Sequence, residues 1–330
     1  MPTILVTGGT GFLGAYVIRD LVLEGYTVRA IRRRKNIPSF IDPAIFERVE
    51  WVDCDVLDAA GLEEAMIGVD SVIHSAAKVT FHEKEKSDML SVNIDGAANV
   101  VNAALEKNVR RLIHVSSVAS LDRKINGLLV NEEKKWEASK KNTNYAISKY
   151  YSEMEAWRGI AEGLSGVIVN PSTILGYGDW NASSCSLFKN IYNNFPWYTN
   201  GMNGFVDVED VSRAIVQLLK SDITSERFII SGDNWSFRKT FDAIADGFGK
   251  KRPHRLATPF LGTLAWRLEK LRTLFTGQKS LITRESARMA QNNTLFDNRK
   301  LLAALPGFSF TPLEQTINKA CNQYAAKLQR

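Results

Sequence analysis

The sequence predicts an α/β protein: a doubly wound parallel sheet with a smaller C-terminal domain. Three observations carry this. Through the first half, short β-rich runs alternate with amphipathic stretches, the pattern of parallel strands joined by crossover helices. Runs such as Ile4-Leu5-Val6 and Val167-Ile168-Val169-Asn170 are almost continuously apolar, as suits strands buried on both faces. A glycine-rich turn separates the first such run from the first helical stretch.

In chain order, residues 3–7 read as a strand and 12–24 as a helix, with Leu13, Val17 and Leu21 at helical spacing. Residues 27–31 make a second strand, 46–53 contain a third, and 62–66 lie in a short helix. Residues 69–74 form a fourth strand, 91–107 a long helix and 111–116 a fifth strand. Residues 144–161 read as another long helix and 166–169 as the strand after it. Beyond Pro171 the pattern loosens. Residues 176–204, rich in Gly, Asn, Ser and aromatics, read as loops that shape a pocket. Residues 206–220 read as a helix, 227–230 as a strand, and 237–248, 261–275 and 312–328 as further helices. The expected organisation is a dinucleotide-binding domain over 1–175, to which 205–232 return, and a substrate-binding domain from 176–204 and 233–330.

Composition sets the outer bounds. The 330 residues are 45% apolar and 24% charged, which excludes collagen, a coiled coil and wholesale disorder. No uncharged apolar run approaches the roughly 18 residues of a spanning helix, and no secretory signal is visible. Cys54, Cys185 and Cys321 fit neither a disulfide framework nor a metal pair, so the expected compartment is the cytoplasm. The net charge of +6 is uneven: residues 235–300 hold 14 Lys or Arg against five Asp or Glu. Such a segment attracts an anion or forms solvated helix faces.

Thr7, Gly8, Gly11 and Gly14 make TGxxGxxG, and Gly9, Gly11 and Gly14 make GxGxxG. Missing Cβ atoms permit a tight turn and let a pyrophosphate lie against the backbone at a helix N-terminus. Between a strand and a helix this signals a Rossmann dinucleotide site. After the second strand, where an acidic residue would bind a ribose 2′-hydroxyl, stand Arg32-Arg33-Arg34-Lys35. This favours the 2′-phosphate of NADP over NAD, with Arg33 the first choice for the contact and Arg32 the second. Asp55 and Val56 follow the third strand, where an adenine edge would lie.

Ser116 and Ser117 close the fifth strand, and Tyr145 and Lys149 are spaced i, i+4, on one helix face. A Lys ammonium stabilises a nearby phenolate, lowering its pKa from about 10. Such a Tyr exchanges a proton with a carbonyl or alcohol oxygen, while the Ser hydroxyl holds that oxygen. Tyr150 and Tyr151 are rival phenols without a Lys four residues on.

These motifs, with DVLD at 55–58, HSAA at 74–77, VNIDGAANVV at 92–101, YAISK at 145–149 and Asn170-Pro171-Ser172, resemble an extended short-chain dehydrogenase/reductase of the NAD-dependent epimerase/dehydratase superfamily. The resemblance implies Ser117, Tyr145 and Lys149 as the catalytic set. It places Thr7, Gly8, Gly11, Phe12, Leu13, Gly14, Ala76, Ala77, Ser116, Pro171 and Ser172 along the cofactor. Asn93 would support the Lys, and two copies of the chain would pair through two long helices. NPSTILGYG, with Asn170 where sugar-nucleotide epimerases carry an Arg, looks more like the dihydroflavonol-reductase and 3β-hydroxysteroid-dehydrogenase branch. The expected function is NADP-dependent hydride transfer to or from a carbonyl or secondary alcohol of a small organic substrate. The alternative is a sugar-nucleotide epimerase or dehydratase with retained NAD.

Several residues carry less. His74 and His114 read as packed histidines, and His82 and His254 have no partner at metal spacing, so no metal is expected. Lys78 reads as solvated. Trp180, Trp197 and Tyr198 suit either a pocket wall or packing. Residues 261–275 read as a helix packed on its own domain, with a membrane-surface helix as the rival. No nucleic-acid module is present.

Overall fold

The computed structural model describes residues 1–80, 82–121, 129–139, 142–258, 261 and 290–329. Seven parallel strands form the central sheet: β1 (Thr3–Thr7), β2 (Thr27–Arg32), β3 (Val49–Asp53), β4 (Ser71–His74), β5 (Arg111–Val115), β7 (Gly166–Pro171) and β11 (Glu226–Ile230), in the spatial order β3-β2-β1-β4-β5-β7-β11. The two-residue strand Leu129–Val130 is β6. Alternation of side chains sorts the core into two layers. Ile4 and Val6 join Val17, Ile18, Val211 and Ile215 on one face, while Leu5 joins Leu62, Val72, Val100 and Val101 on the other.

Helices cover both faces: α1 (Phe12–Leu23), α2 (Pro43–Phe46), α3 (Ala59–Ala65), α4 (Lys86–Glu106) and α5 (Asn144–Ala161). Side-chain acceptors mark the N-termini of α2, α3 and α5. Asp58 Oδ1 accepts from Gly61 N at 3.0 Å and Thr143 Oγ1 from Ala146 N at 3.0 Å, each satisfying an orphan donor. Helices α4 and α5 lie side by side, and Gly159 lets them approach: a Cβ there would stand 2.5 Å from Val101 Cγ1.

After β8 (Thr173–Leu175) the structure departs from the expected loops. Residues 176–204 contain α6 (Ser186–Tyr192) and β9 (Trp197–Tyr198), followed by β10 (Met202–Asp207). Phe188 and Ile191 on α6 are fully buried, and this packing overrides the low helix propensity of a Ser- and Asn-rich stretch. The expected helix at 206–220 begins later, as α7 (Val208–Lys220), because Asp207 caps it by accepting from Glu209 N at 2.7 Å.

Then follow β12 (Asp233–Ser236), α8 (Phe237–Gly247), β13 (Arg255–Leu256), β14 (Leu295–Phe296), α9 (Arg299–Ala304) and α10 (Leu313–Leu328). The stretch 261–275 lies, beyond Leu261, outside the described residues. A second apolar core gathers Leu175, Phe188, Ile191, Phe205, Ile244, Leu313, Ile317 and Tyr324. Trp180 packs here, 4.7 Å from the Tyr324 ring and 5.6 Å from Tyr192. Tyr324 fastens the chain after β8, accepting from Gly178 N at 2.9 Å. Among the described residues no helix is long and apolar enough to cross a membrane.

Candidate active site

Strand order reverses between β1 and β4, and doubly wound sheets bind their ligands beyond the strand ends at such a switch point. The glycine turn leaves β1 at this point. Gly8 has φ +73°, and a Cβ on it would stand 2.7 Å from Ala76 N. A Cβ on Gly14 would stand 2.2 Å from the Gly8 carbonyl oxygen. Gly11 caps α1 with no side-chain bond, so the helix end offers backbone donors and its positive dipole end. These features fit a dinucleotide pyrophosphate.

Thr7 is fully buried beneath the turn. Its hydroxyl accepts from Ser75 N and Ala76 N at 3.2 and 3.1 Å and lies 2.7 Å from His74 Nδ1. With two donors already received, its own proton goes to Nδ1, so His74 carries its hydrogen on Nε2. Burial pushes His74 down to about 3 and His114, 5.2 Å from it ring to ring, well below the usual range. Both are neutral packed rings. Phe12 is half-buried against Tyr16 and Phe40, Leu13 is buried, Ala76 is half-buried and Ala77 is exposed.

At the ribose end the structure supplies a carboxylate that the loop sequence lacks. Arg32 and Asp53 face each other across β2 and β3, and Arg32 Nε donates to Asp53 Oδ1 at 2.8 Å. Arg32 also lies over Trp51, 5.3 Å from the ring centre. Arg33 and Arg34 are exposed. Among the described residues Arg33 has a loose contact to Asp55, at 3.8 Å. Asp55 Oδ1 accepts from Leu57 N at 3.0 Å, and Val56 is buried under α4, where a Cβ on Gly96 would come within 2.7 Å of it.

Lys149 ties α5 to the end of β5, close in sequence to Ser117. Lys149 is buried, and its Nζ donates to Val115 O at 2.8 Å, two residues before Ser117. Burial pushes its ammonium down to about 8, with the Glu153 carboxylate opposing that shift. Half-buried Tyr145 stands one turn earlier on the same face. Ser117 is half-buried and caps a short 3-10 turn, its Oγ accepting from Ala119 N at 3.1 Å.

Buried Asn93 joins two segments around this site. Its Oδ1 accepts from Lys78 N at 2.7 Å, and its Nδ2 donates to Ser148 Oγ at 2.9 Å. Lys78 itself pairs with Asp88 at 2.5 Å. Ser116 is buried and points inward, Oγ donating to Glu153 Oε2 at 2.7 Å. Pro171 ends β7. The Ser172 hydroxyl is buried with no partner among the described residues, beside Gly204, where a Cβ would stand 3.0 Å from Ser172 Cβ. Tyr150 stacks on Trp136 at 4.6 Å, and Tyr151 is exposed.

Sequence reasoning missed Glu153, Arg227 and the partner of Arg32. Glu153 was within reach, because it extends the Tyr145–Lys149 stripe by one more turn. The other two come from strands distant in sequence.

The fold and this arrangement define a dinucleotide-dependent enzyme of the extended short-chain dehydrogenase/reductase type. The chain belongs to the NAD dependent epimerase/dehydratase family, whose sequence profile matches residues 4–231. It is 27% identical over 326 residues, 97% of this chain and 93% of the other, to a putative dihydroflavonol 4-reductase of Synechocystis. It is 32% identical over 241 residues, 68% of this chain and 71% of the other, to cinnamoyl-CoA reductase 1 of Petunia hybrida. The crystal structure of gox2253 superposes with a TM-score of 0.83 at 26% identity, over 99% of both chains. NAD(P) dependence follows from the family.

Proposed function

We propose that the chain is an NADP-dependent reductase of a carbonyl group on a small organic molecule, running in reverse on the secondary alcohol. The single observation that carries this is the buried Lys149 ammonium. It is anchored to Val115 O at the end of β5, two residues before Ser117, and shares a helix face with Tyr145. Relatives named dihydroflavonol 4-reductase and cinnamoyl-CoA reductase support the reductive direction.

The dinucleotide, when bound, supplies or takes up a hydride at the substrate carbon. The turn at Gly8, Gly11 and Gly14 holds its pyrophosphate, and Arg33, free to leave its loose contact with Asp55, holds the 2′-phosphate. Pro171 and Ser172 border its nicotinamide end. Tyr145 gives the carbonyl oxygen a proton as the alcohol forms and takes it back in the reverse direction. Lys149 stabilises the phenolate this leaves, and Ser117 holds the oxygen in line. The substrate side is formed by residues 176–204 and 233–330, and two copies pair through α4 and α5.

Tyr145→Phe tests the assignment. It removes one hydroxyl, so NADPH-dependent turnover of a carbonyl substrate falls by about 10²- to 10⁴-fold while NADPH affinity holds. Full turnover in this variant overturns it.

A further inference from the structure

The most heavily bonded carboxylate near the site belongs to Glu153, which is 1% exposed. One oxygen, Oε2, receives Ser116 Oγ at 2.7 Å, Ser120 Oγ at 2.6 Å and Asn170 Nδ2 at 2.8 Å. The other, Oε1, receives Arg227 Nη1 at 3.0 Å and Trp157 Nε1 at 3.4 Å. Asn170 Nδ2, with its second hydrogen, also reaches the Ser117 carbonyl at 3.1 Å; Ser120 Oγ lies 2.8 Å from the same carbonyl, its one hydrogen shared between that oxygen and Glu153. An ionised carboxylate only accepts hydrogen bonds. It therefore fixes which way each neighbour points, turning the Asn170 amide nitrogen and the Ser116 hydroxyl toward itself.

Arg227 holds this carboxylate from the edge strand β11. Its remaining nitrogens donate to the backbone carbonyls of Glu132, at 2.8 Å from Nε, and Lys134, at 3.1 Å from Nη2. The edge of the sheet is thereby linked through one ion pair to the turn that follows β5.

We propose that Glu153 is a positioning residue: its carboxylate, anchored by Arg227, fixes the 116–120 turn and so aims the Ser117 hydroxyl. This rests on the reading of Ser117 as the group that holds the substrate oxygen, and the test separates the two.

The first arm needs no turnover. The three native cysteines are buried, so in a Ser117→Cys protein iodoacetamide reports on the new thiol alone. Glu153→Gln keeps the shape but puts a donor where an acceptor is needed. In the NADPH-bound protein it shifts the alkylation rate by about fivefold or more, and Arg227→Lys, which keeps the ion pair, shifts it far less. An unchanged rate in a protein that melts well above the assay temperature overturns the proposal. If Glu153→Gln does not fold, Glu153→Asp, which keeps the charge and shortens the reach, takes its place.

The second arm is a double-mutant cycle on NADPH-dependent reduction of phenanthrenequinone. Glu153→Gln alone lowers kcat about tenfold, but by less than about twofold when Ser117 is already Ala. Equal losses in both backgrounds overturn the positioning role. If Ser117→Ala alone keeps full kcat, the reading of Ser117 fails, and the alkylation arm still decides for or against Glu153.

Discussion

The two ends of the candidate site are built from opposite materials. At the β5–α5 end, Lys149, Ser116, Asn170 and Glu153 are buried, and each makes at least one hydrogen bond of 2.8 Å or less. At the ribose end, Arg33 and Arg34 are exposed, and among the described residues Arg33 makes a 3.8 Å pair with Asp55 on the surface. Exposed pairs contribute about 0–1 kcal/mol, whereas breaking a buried pair costs about 3–5 kcal/mol. The groups proposed for proton transfer are thus locked in place before any ligand arrives. The side chains proposed to choose the cofactor rearrange at little cost.

Four substitutions, at three places, sharpen this contrast. The largest effect belongs to the turn both ends share. Gly14→Ala places a methyl 2.2 Å from the Gly8 carbonyl oxygen, and backbone cannot yield there as a side chain would. NADPH affinity falls about 100-fold, roughly 2.7 kcal/mol, by fluorescence titration. Unchanged affinity would mean that the turn does not hold the dinucleotide.

Next comes the buried end. The Lys149 ammonium sits near pH 8, below the ordinary lysine value. In the free enzyme the ammonium is lost as pH rises through about 8, so kcat/KM for reduction declines above that pH. The stability effect has the opposite sense. A depressed lysine binds fewer protons folded than unfolded, so its burial penalty is fully present below about pH 8 and fades as pH rises toward the unfolded value. Lys149→Met removes both trends. A kcat/KM profile that stays flat past pH 9 would refute the assignment.

The smallest effect is expected at the exposed end. Arg33→Ala weakens NADPH about tenfold, the loss of one charge-assisted contact, and leaves NADH unchanged. Arg32→Ala, judged by the same titrations, acts mainly through Asp53 and Trp51. Equal losses for both cofactors on Arg33→Ala would place its contact away from the 2′-phosphate.

The sheet was legible because its strands are buried on both faces and bounded by Gly. The β1 limits agree residue for residue, and the other strands differ by one or two at an end, β3 being placed only within a wider window. Helix α4 starts at Lys86, five residues before the expected start: its first turn, Lys86-Ser87-Asp88, adds no apolar periodicity, although buried Met89 belongs to the helix. Helix α6 was hidden because its Ser- and Asn-rich stretch is helical only through the burial of Phe188 and Ile191. At the site, the glycine turn and the Tyr145–Lys149 pair could be read because each is local. The Arg32–Asp53 pair spans 21 residues and the Glu153–Arg227 pair 74. Spacing carries no signal at such range, since only the order of strands in the sheet brings those groups together.

The second apolar core has a consequence for how the chain comes together during synthesis. The last strand of the central sheet is complete at Ile230, but Tyr324 and its helix are needed to seal the chain around Gly178. The nucleotide-side sheet can close as it emerges from the ribosome, while Phe188 meets Phe248 only after sixty further residues and Tyr324 only after more than a hundred. That interval is when a chaperone would find the most to hold.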